Sequence, residues 1–564
     1  MEFIFDDVEI DLGSYRETLM PMIEKDIQSD IIPRLWQKDP SLFREKKGIK
    51  IGWLDLPVDM KGDVDEIDAF REEILKKGIK NILLIGMGGS SLAPKLFMEV
   101  FSNSPPYPPL KVLDTSHPDT IREELIRLNL KDTLVIVSSK SGTTIETVSL
   151  FYYLYHKIKE QKKNVGQNFI AITDPGTPLE EIARQRGFLK IFNSPEDVGG
   201  RYSVFTYFGL VPAALIGIDI KRLLQKGEEL RSKCLAKGDF HNNSCLILGS
   251  TIAHLSEIGI DKLTFIAPES IRPFLIWLEQ LIAESTGKQG KGILPLLDKM
   301  PKSLAYYGKD RLFVVIDYKK GKGEGQFQPL IKGLKEKGFP LIQIQLNNHW
   351  DLGREFFRWE MITAISGIIL GVNPFDQPNV DIAKKNARKI MEDIKRDMQW
   401  EEDSLILRDK EMMIYGDSRY GNRTLKGIIQ DILKEKKNGD YISIMAFLAE
   451  GAETEKQMER IAETLELKCN LPVTFNFGPR YLHSTGQFHK GGPDKGIFVM
   501  FLHVSEEEIP VPEMGYSFRN LVISQCLGDY KALVERGKKA LLIWIKNGLS
   551  NFLDRLEREL GIKR

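Results

Sequence analysis

Two hydroxyl-rich turns, GMGGSS at residues 86–91 and SKSGTT at 139–144, each follow a β-branched run and each lead into a helical pattern. Backbone N–H groups and hydroxyls then converge on a helix N-terminus, which is an anion site. The first turn, with Gly88, Gly89 and Ser90, fits three readings: a phosphate group, a dinucleotide, or a tight βα turn that binds nothing. Asp114, at the end of the next strand, stands roughly where a ribose-binding acid would. The second turn brings four hydroxyls (Ser139, Ser141, Thr143 and Thr144) and the Lys140 ammonium. An N-cap needs only one of them, whereas a phosphomonoester dianion needs several donors and a positive charge to offset its desolvation. Two such turns on neighbouring strand ends suggest one phosphate held between them, where open α/β sheets bind ligands.

A second group of residues could move protons. In IRPFLIWLEQLIAESTGK (271–288) Gln280 and Glu284 lie four apart on one helical face, following an apolar run. That context makes Glu284 a partly buried carboxylate suited to act as a base near neutrality; a solvent-facing glutamate near a helix end is the plainer alternative. Arg201 follows Gly199 and Gly200 in VGGRYS, where backbone can approach a ligand closely and the guanidinium can face it, although a structural salt bridge would also account for it. Downstream, an apolar stretch breaks at NPFDQPNVDIAKK (373–385). Gln377 and Lys384 there are two helical turns apart if the intervening residues are helical, with Pro374 as the helix start; Lys385 is the alternative inward lysine. Of the eight histidines, His483 and His489 share the glycine-rich segment HSTGQFHKGG. Metal ligation is not expected, because acidic and cysteine partners are missing nearby. His349, just after a strand, is the other histidine able to reach a strand-end site.

The elements that must position these groups follow from the pattern. Short apolar runs NILLIG, LKVLD, TLVIVSS and NFIAIT alternate with helical stretches from residue 80, and CLILGS, LTFIAP, LFVVID and LIQIQL repeat the alternation from 245. Alternation of this kind implies βαβ units and parallel sheets covered on both faces. We expect an α/β protein with two doubly wound lobes: an N-terminal helical appendage over 1–75, lobes over 76–238 and 239–400, and a smaller α/β region over 401–564, ending in helices from Arg519 to Gly561. The 79 basic and 79 acidic side chains leave no global charge to attract nucleic acid or a membrane surface. Four scattered cysteines fit reduced thiols. No secretory signal or spanning segment is read, so the expectation is a cytoplasmic protein.

Together these segments resemble the glucose-6-phosphate isomerase family over roughly residues 75–400. GMGGSSLAP looks like its G-x-G-G-S-x-L-G-P motif, SSKSGTTIET like S-K-x-x-T-T-x-E-T, QLIAESTGK like Q-x-x-x-E-S-x-G-K and NPFDQPNVDIAK like N-x-F-D-Q-x-G-V-E-L-G-K, while GGRYS is the same as its arginine motif. The resemblance implies a fold of sugar isomerase type and the aldose–ketose isomerisation of glucose 6-phosphate and fructose 6-phosphate in glycolysis and gluconeogenesis. It implies no metal or redox cofactor, and a homodimer. Ser90, Ser139, Lys140, Ser141 and Thr144 would hold the phosphate. Gln280, Gln377 and Lys384 would contact the sugar. Glu284 would be the base that moves a proton from C2 to C1 through a cis-enediol, and Arg201 would stabilise the intermediate's charge. The family's histidine motif normally falls between the glutamate and lysine segments, but 291–348 contains no histidine. The best match, HSTGQFHKG, follows the lysine. It looks like a segment near the C-terminus of transaldolase/glucose-6-phosphate isomerase fusion proteins, and the 75-residue N-terminal part is far too short for a transaldolase. His483, with Lys384, is therefore expected to open the sugar ring. A non-catalytic sugar-phosphate sensor and a dinucleotide-dependent oxidoreductase are the competing readings. The sensor would have no use for Glu284, Arg201 and Lys384 together.

Overall fold

The computed structural model describes residues 2–45, 48–101, 105–235, 240–298, 302–319, 325–395, 404–420 and 424–562. Packing divides the chain into two compact units that interleave in sequence. Met1–Asp114, Asn129–Phe151 and Lys157–Asp376 form the first; Thr115–Leu128, Tyr152–His156 and Gln377–Arg564 form the second.

The first unit contains two sheets. In one, Leu110–Leu113, Asn81–Gly86, Thr133–Ser138, Phe169–Thr173 and Lys190–Asn193 run parallel in that order. Asn81–Gly86 comes first in the chain yet second in the sheet, so connections leave it to either side and a crevice opens at its carboxyl end beside Thr133–Ser138. The register pairs Gly86 with Ser138, and the two hydroxyl-rich turns therefore start at the same level. The central strands are buried along almost their whole length, as a parallel sheet covered on both faces requires.

The other sheet runs Phe3–Ile4, Val8–Asp11, Leu341–Leu346, Arg311–Tyr318, Lys262–Ile266, Leu294–Leu297, with the last four parallel and the N-terminal pair antiparallel. The N-terminal segment thus begins as edge strands of the second lobe, followed by the expected helices. One expected strand is a helix: CLILGS lies inside Ser244–Glu257. Residues 244–255 of that helix are buried without exception, so it carries no amphipathic period, and a short apolar run of this kind reads equally as strand or core helix. Asn243 caps it by accepting from Leu246 N at 3.0 Å.

In the second unit, Leu405–Arg408, Met412–Tyr415, Lys539–Ile545, Gly496–Leu502, Tyr441–Phe447 and Val473–Phe477 form a mixed sheet whose last four strands are parallel. Lys539–Ile545 is a strand within the stretch that the sequence pattern assigned to helices, Arg519 to Gly561. Gly537 and Gly548, both at φ +67°, break the chain on either side of it. The helix Val380–Lys395 packs along Phe518–Val534, and a Cβ on Gly528 would come within 2.6 Å of Ala387 N. The division between units accordingly falls at Asp376/Gln377, ahead of the expected boundary at 400. No helix among the described residues is long and apolar enough to cross a membrane, and all four cysteines are buried.

The N-terminal strand is tied to its lobe by charge as well as by sheet pairing. Asp7 accepts from Arg358 Nη2 at 2.5 Å and lies 3.0 Å from Arg354 Nε, while Arg358 and its other acidic partner Glu355 are fully buried. Removing one member of a buried pair leaves an uncompensated charge and costs about 3–5 kcal/mol. With Glu355 still present, Asp7→Ala should destabilise the first unit by about 3 kcal/mol. Urea unfolding followed by fluorescence would show the midpoint falling, and an unchanged midpoint would contradict the assignment.

Candidate active site

At the crevice, Gly88–Ser90 forms a tight turn before the helix Leu92–Val100. Ser91 occupies the N-cap position, but its hydroxyl turns back to Gly88 O at 3.2 Å and does not cap the helix. In the neighbouring turn, Ser139 Oγ donates to Thr144 Oγ1 at 3.1 Å, and Ser141 Oγ lies 3.0 Å from Thr143 Oγ1. Ser138 Oγ donates to Ser90 O at 2.9 Å, joining the two turns. The structure thus brings Gly88, Gly89, Ser90, Ser139, Ser141, Thr143 and Thr144 to one strand-end crevice, with the helices Leu92–Val100 and Ile145–Lys159 starting from it. Lys140 behaves differently. Its ammonium pairs with Asp174 at the end of the next strand. Burial lowers the lysine's pKa and raises that of the aspartate.

Glu284 is reached through the glycines. A Cβ on Gly89 would meet Gly200 O at 2.0 Å, so only glycine lets the first hydroxyl-rich turn lie against Gly200–Tyr202. That turn in turn packs on the helix Arg272–Thr286. Arg201 Nη1 is 3.1 Å from Glu284 Oε1, and each side chain is 6% exposed. The guanidinium is held on its other sides: Nε donates to Ser285 Oγ at 3.0 Å, and Nη2 to the carbonyls of Pro374 at 2.9 Å and Asp376 at 3.0 Å. Gln280 Nε2 donates to Glu284 Oε2 at 3.2 Å. Of the alternatives open for Glu284, the solvent-facing one is thus not what the fold adopts. A buried carboxylate bonded by an amide and a guanidinium is fixed in direction, as a proton acceptor must be.

Lys288, to which the sequence assigned no role, belongs to the same cluster. The helix ends at Thr286, and a two-residue turn follows in which Gln289 and Gly290 have φ +55° and +76° and Lys288 and Lys291 exchange backbone hydrogen bonds. Lys288 is 2% exposed. Its Nζ donates to the carbonyls of Asn373 and Asp376, the latter at 2.6 Å, and lies 2.6 Å from Asp376 Oδ1. Burial and, next, the Arg201 charge push its pKa down to about 7, outweighing the opposite pull of Asp376 and Glu284. A lysine four residues after the glutamate, beyond a helix-ending glycine, was the available signal.

The remaining sequence candidates lie in the second unit, apart from His349. Gln377 is exposed and precedes the helix that starts at Val380, so it is not on one helical face with Lys384; the proline is not the helix start. Lys384 and Lys385 are both exposed positions of that helix. His483 ends the turn Arg480–His483 and is partly exposed. His489 is 2% exposed, with Tyr441 Oη at 3.1 Å and Ser443 Oγ at 3.3 Å, and burial drives its pKa down to about 3. It is held neutral in the core. His349, in the first unit, packs edge-on against Phe101, and burial lowers its pKa.

The first unit thus combines two α/β lobes, a strand-end crevice in one and a buried carboxylate–guanidinium pair between them. A crystal structure of a glucose-6-phosphate isomerase from Chlamydia trachomatis shares this fold, with a TM-score of 0.51 at 18% identity over 69% of this chain and 86% of that one. The phosphoglucose isomerase family model matches residues 60–293. The chain is 30% identical over 383 residues to the glucose-6-phosphate isomerase of Staphylococcus saprophyticus, covering 60% of this chain and 85% of that protein. It is 28% identical over 372 residues to a probable glucose-6-phosphate isomerase of Methanococcus maripaludis, covering 59% and 84% respectively. The chain belongs to the phosphoglucose isomerase family.

The titration of Lys288 has a definite sign. Folded, it loses its proton near pH 7; unfolded, near its ordinary value of 10.5. Between these values the unfolded chain binds more protons, so stability rises with pH across that window and the stabilisation is lost as pH falls through 7. Lys288→Met removes this titration. Denaturation midpoints of the two proteins should therefore diverge in favour of wild type from about pH 7 to about pH 10, and a difference independent of pH would contradict the shift.

Proposed function

We propose that this enzyme of the phosphoglucose isomerase family interconverts glucose 6-phosphate and fructose 6-phosphate, with Glu284 as the base. The observation that carries the assignment is the buried Arg201–Glu284 pair, 3.1 Å apart, one packed turn away from the hydroxyl-rich crevice. Ser90, Ser139, Ser141, Thr143 and Thr144, with the backbone of Gly88 and Gly89, hold the phosphate, which places the sugar carbons toward the carboxylate. Gln280 and Gln377 contact the sugar hydroxyls.

The charge logic is simple. When Glu284 takes the C2 proton it becomes neutral, and the negative charge passes to the oxygens of the enediolate. Arg201, already desolvated and fixed by Ser285, Pro374 and Asp376, then faces an anion in place of the one just neutralised. Such preorganised stabilisation is worth ~3–4 kcal/mol. Glu284 returns the proton to C1 as the hydroxyl proton passes from O2 to O1, which exchanges the aldose and ketose without any change in overall oxidation state. Gln280 aligns the carboxylate between the two carbons. The preceding ring opening is assigned to His483 with Lys384; the neutral, enclosed state of His489 favours His483 over it. The same reading makes the protein a cytoplasmic homodimer, in keeping with its four buried thiols.

A coupled assay on fructose 6-phosphate, with chelator present and no metal added, should show turnover. Glu284→Gln keeps the shape and removes the base, so exchange of the C2 proton with solvent should fall about 10²–10⁴-fold; exchange at the wild-type rate would overturn the mechanism. Arg201→Ala should lower kcat about 10²–10³-fold with a small change in KM. Equal losses in both would refute its role at the transition state.

A further inference from the structure

The turn Asn373–Asp376 is gripped by two buried cations whose purposes differ. Arg201 reaches it with Nη2 alone, through the Pro374 and Asp376 carbonyls, and directs Nη1 to Glu284. Lys288 places its Nζ on the Asn373 and Asp376 carbonyls and the Asp376 carboxylate. Both therefore share the Asp376 carbonyl. One turn later, Lys291 Nζ donates to Leu370 O at 2.7 Å, so the short turn after the catalytic helix holds the segment 370–376 at both ends. Since Nη2 and Nη1 belong to one rigid plane, the placement of those carbonyls decides the angle at which the guanidinium meets the carboxylate.

We propose that Lys288 is a positioning residue of the isomerase, fixing the Asn373–Asp376 turn so that the Arg201 guanidinium is aligned at Glu284. This rests on the roles given above to Arg201 and Glu284. A buried ammonium beside a guanidinium is unfavourable in itself, and its acceptors are all on the turn, which is what a clamp requires and a core-filling side chain does not. Because Lys288 touches no reacting atom on this reading, its removal should act only through Arg201.

The test is a double-mutant cycle on purified enzyme. Lys288→Met should lower kcat roughly tenfold or more while KM stays within about threefold, and in the Arg201→Ala background the same substitution should change kcat less than twofold. Lys288→Arg, which can reach the same carbonyls, should recover part of the rate. Additive losses in the cycle would overturn the proposal, as would equal loss in kcat and KM or a wild-type kcat in Lys288→Met. If Lys288→Met does not fold, the Lys288→Arg and Lys288→Gln variants carry the cycle, with additivity again the overturning result. Failure of the underlying reading shows separately, as activity that survives Glu284→Gln.

Discussion

A carboxylate and a guanidinium, each almost wholly removed from water, set the terms for the rest of the first unit. Desolvating both charges is expensive, and their attraction offsets it only when every remaining donor and acceptor is satisfied. The requirement is met here from two distant stretches of chain: Ser285 and the amide of Gln280 on the helix that carries Glu284, and the carbonyls of Pro374 and Asp376. The pair therefore cannot form until the GGRYS turn, the helix Arg272–Thr286 and the end of Leu352–Leu370 are in place together. The packing of Phe375 on Tyr202 and Phe43, with ring centroids 5.0 and 4.9 Å apart, covers that junction with apolar surface and brings the N-terminal segment into it. Residues that looked like an appendage thus take part in excluding water from the charges.

How much of this the sequence disclosed depends on whether a local rule fixes the outcome. The two strand–turn–helix units at 81–100 and 133–159 were legible because glycine, hydroxyl and β-branched residues each have one comfortable place in such a unit. The i, i+4 relation of Gln280 and Glu284 was legible for the same reason. The helix Ser244–Glu257 was not, since a fully buried segment loses the polar face that distinguishes one period from another. The strand Lys539–Ile545 was missed although glycines mark both its ends, because the flanking helical patterns were strong enough to be read through it. Lys288 was hidden in another way: a lysine after a helix-ending glycine is usually solvated, and only the return of residues 373–376, some 85 positions later in the hydrogen bond to Asn373, makes it a buried clamp.

The glycine- and histidine-rich segment of the second unit shows how one motif divides between structure and chemistry. Lys490 and Asp529 form an ion pair at 2.5 Å with each side chain 1% exposed, and Tyr481 donates to the same carboxylate at 2.7 Å. Gln487 Oε1 accepts from Asn379 N at 2.9 Å, which ties the segment to the start of the helix carrying Lys384. His489 completes the packing between Tyr441 and Ser443. Most of HSTGQFHKGG therefore builds the second unit's own core, leaving His483 as its partly exposed member. A cluster of site-like residue types in the sequence was thus only in part a cluster of available groups.

The two ends of the first unit's site differ in the electrostatics of the helices that build them, and this accounts for where its cations stand. The hydroxyl-rich turns lie at helix N-termini, Leu92–Val100 and Ile145–Lys159, where backbone N–H groups and the positive end of the dipole favour an anion without any charged side chain. Lys140 can accordingly pair with Asp174 while the helix N-termini still supply the crevice with positive potential. Glu284 stands two residues from the other end of its helix, at the negative end of the dipole, where a negative charge is disfavoured. Positive charge must be brought there by side chains, and two are, with Arg201 against the carboxylate and Lys288 against the turn behind it. The crevice is thus left to backbone dipoles, whereas the buried carboxylate is met by a cation that is itself held on its other sides.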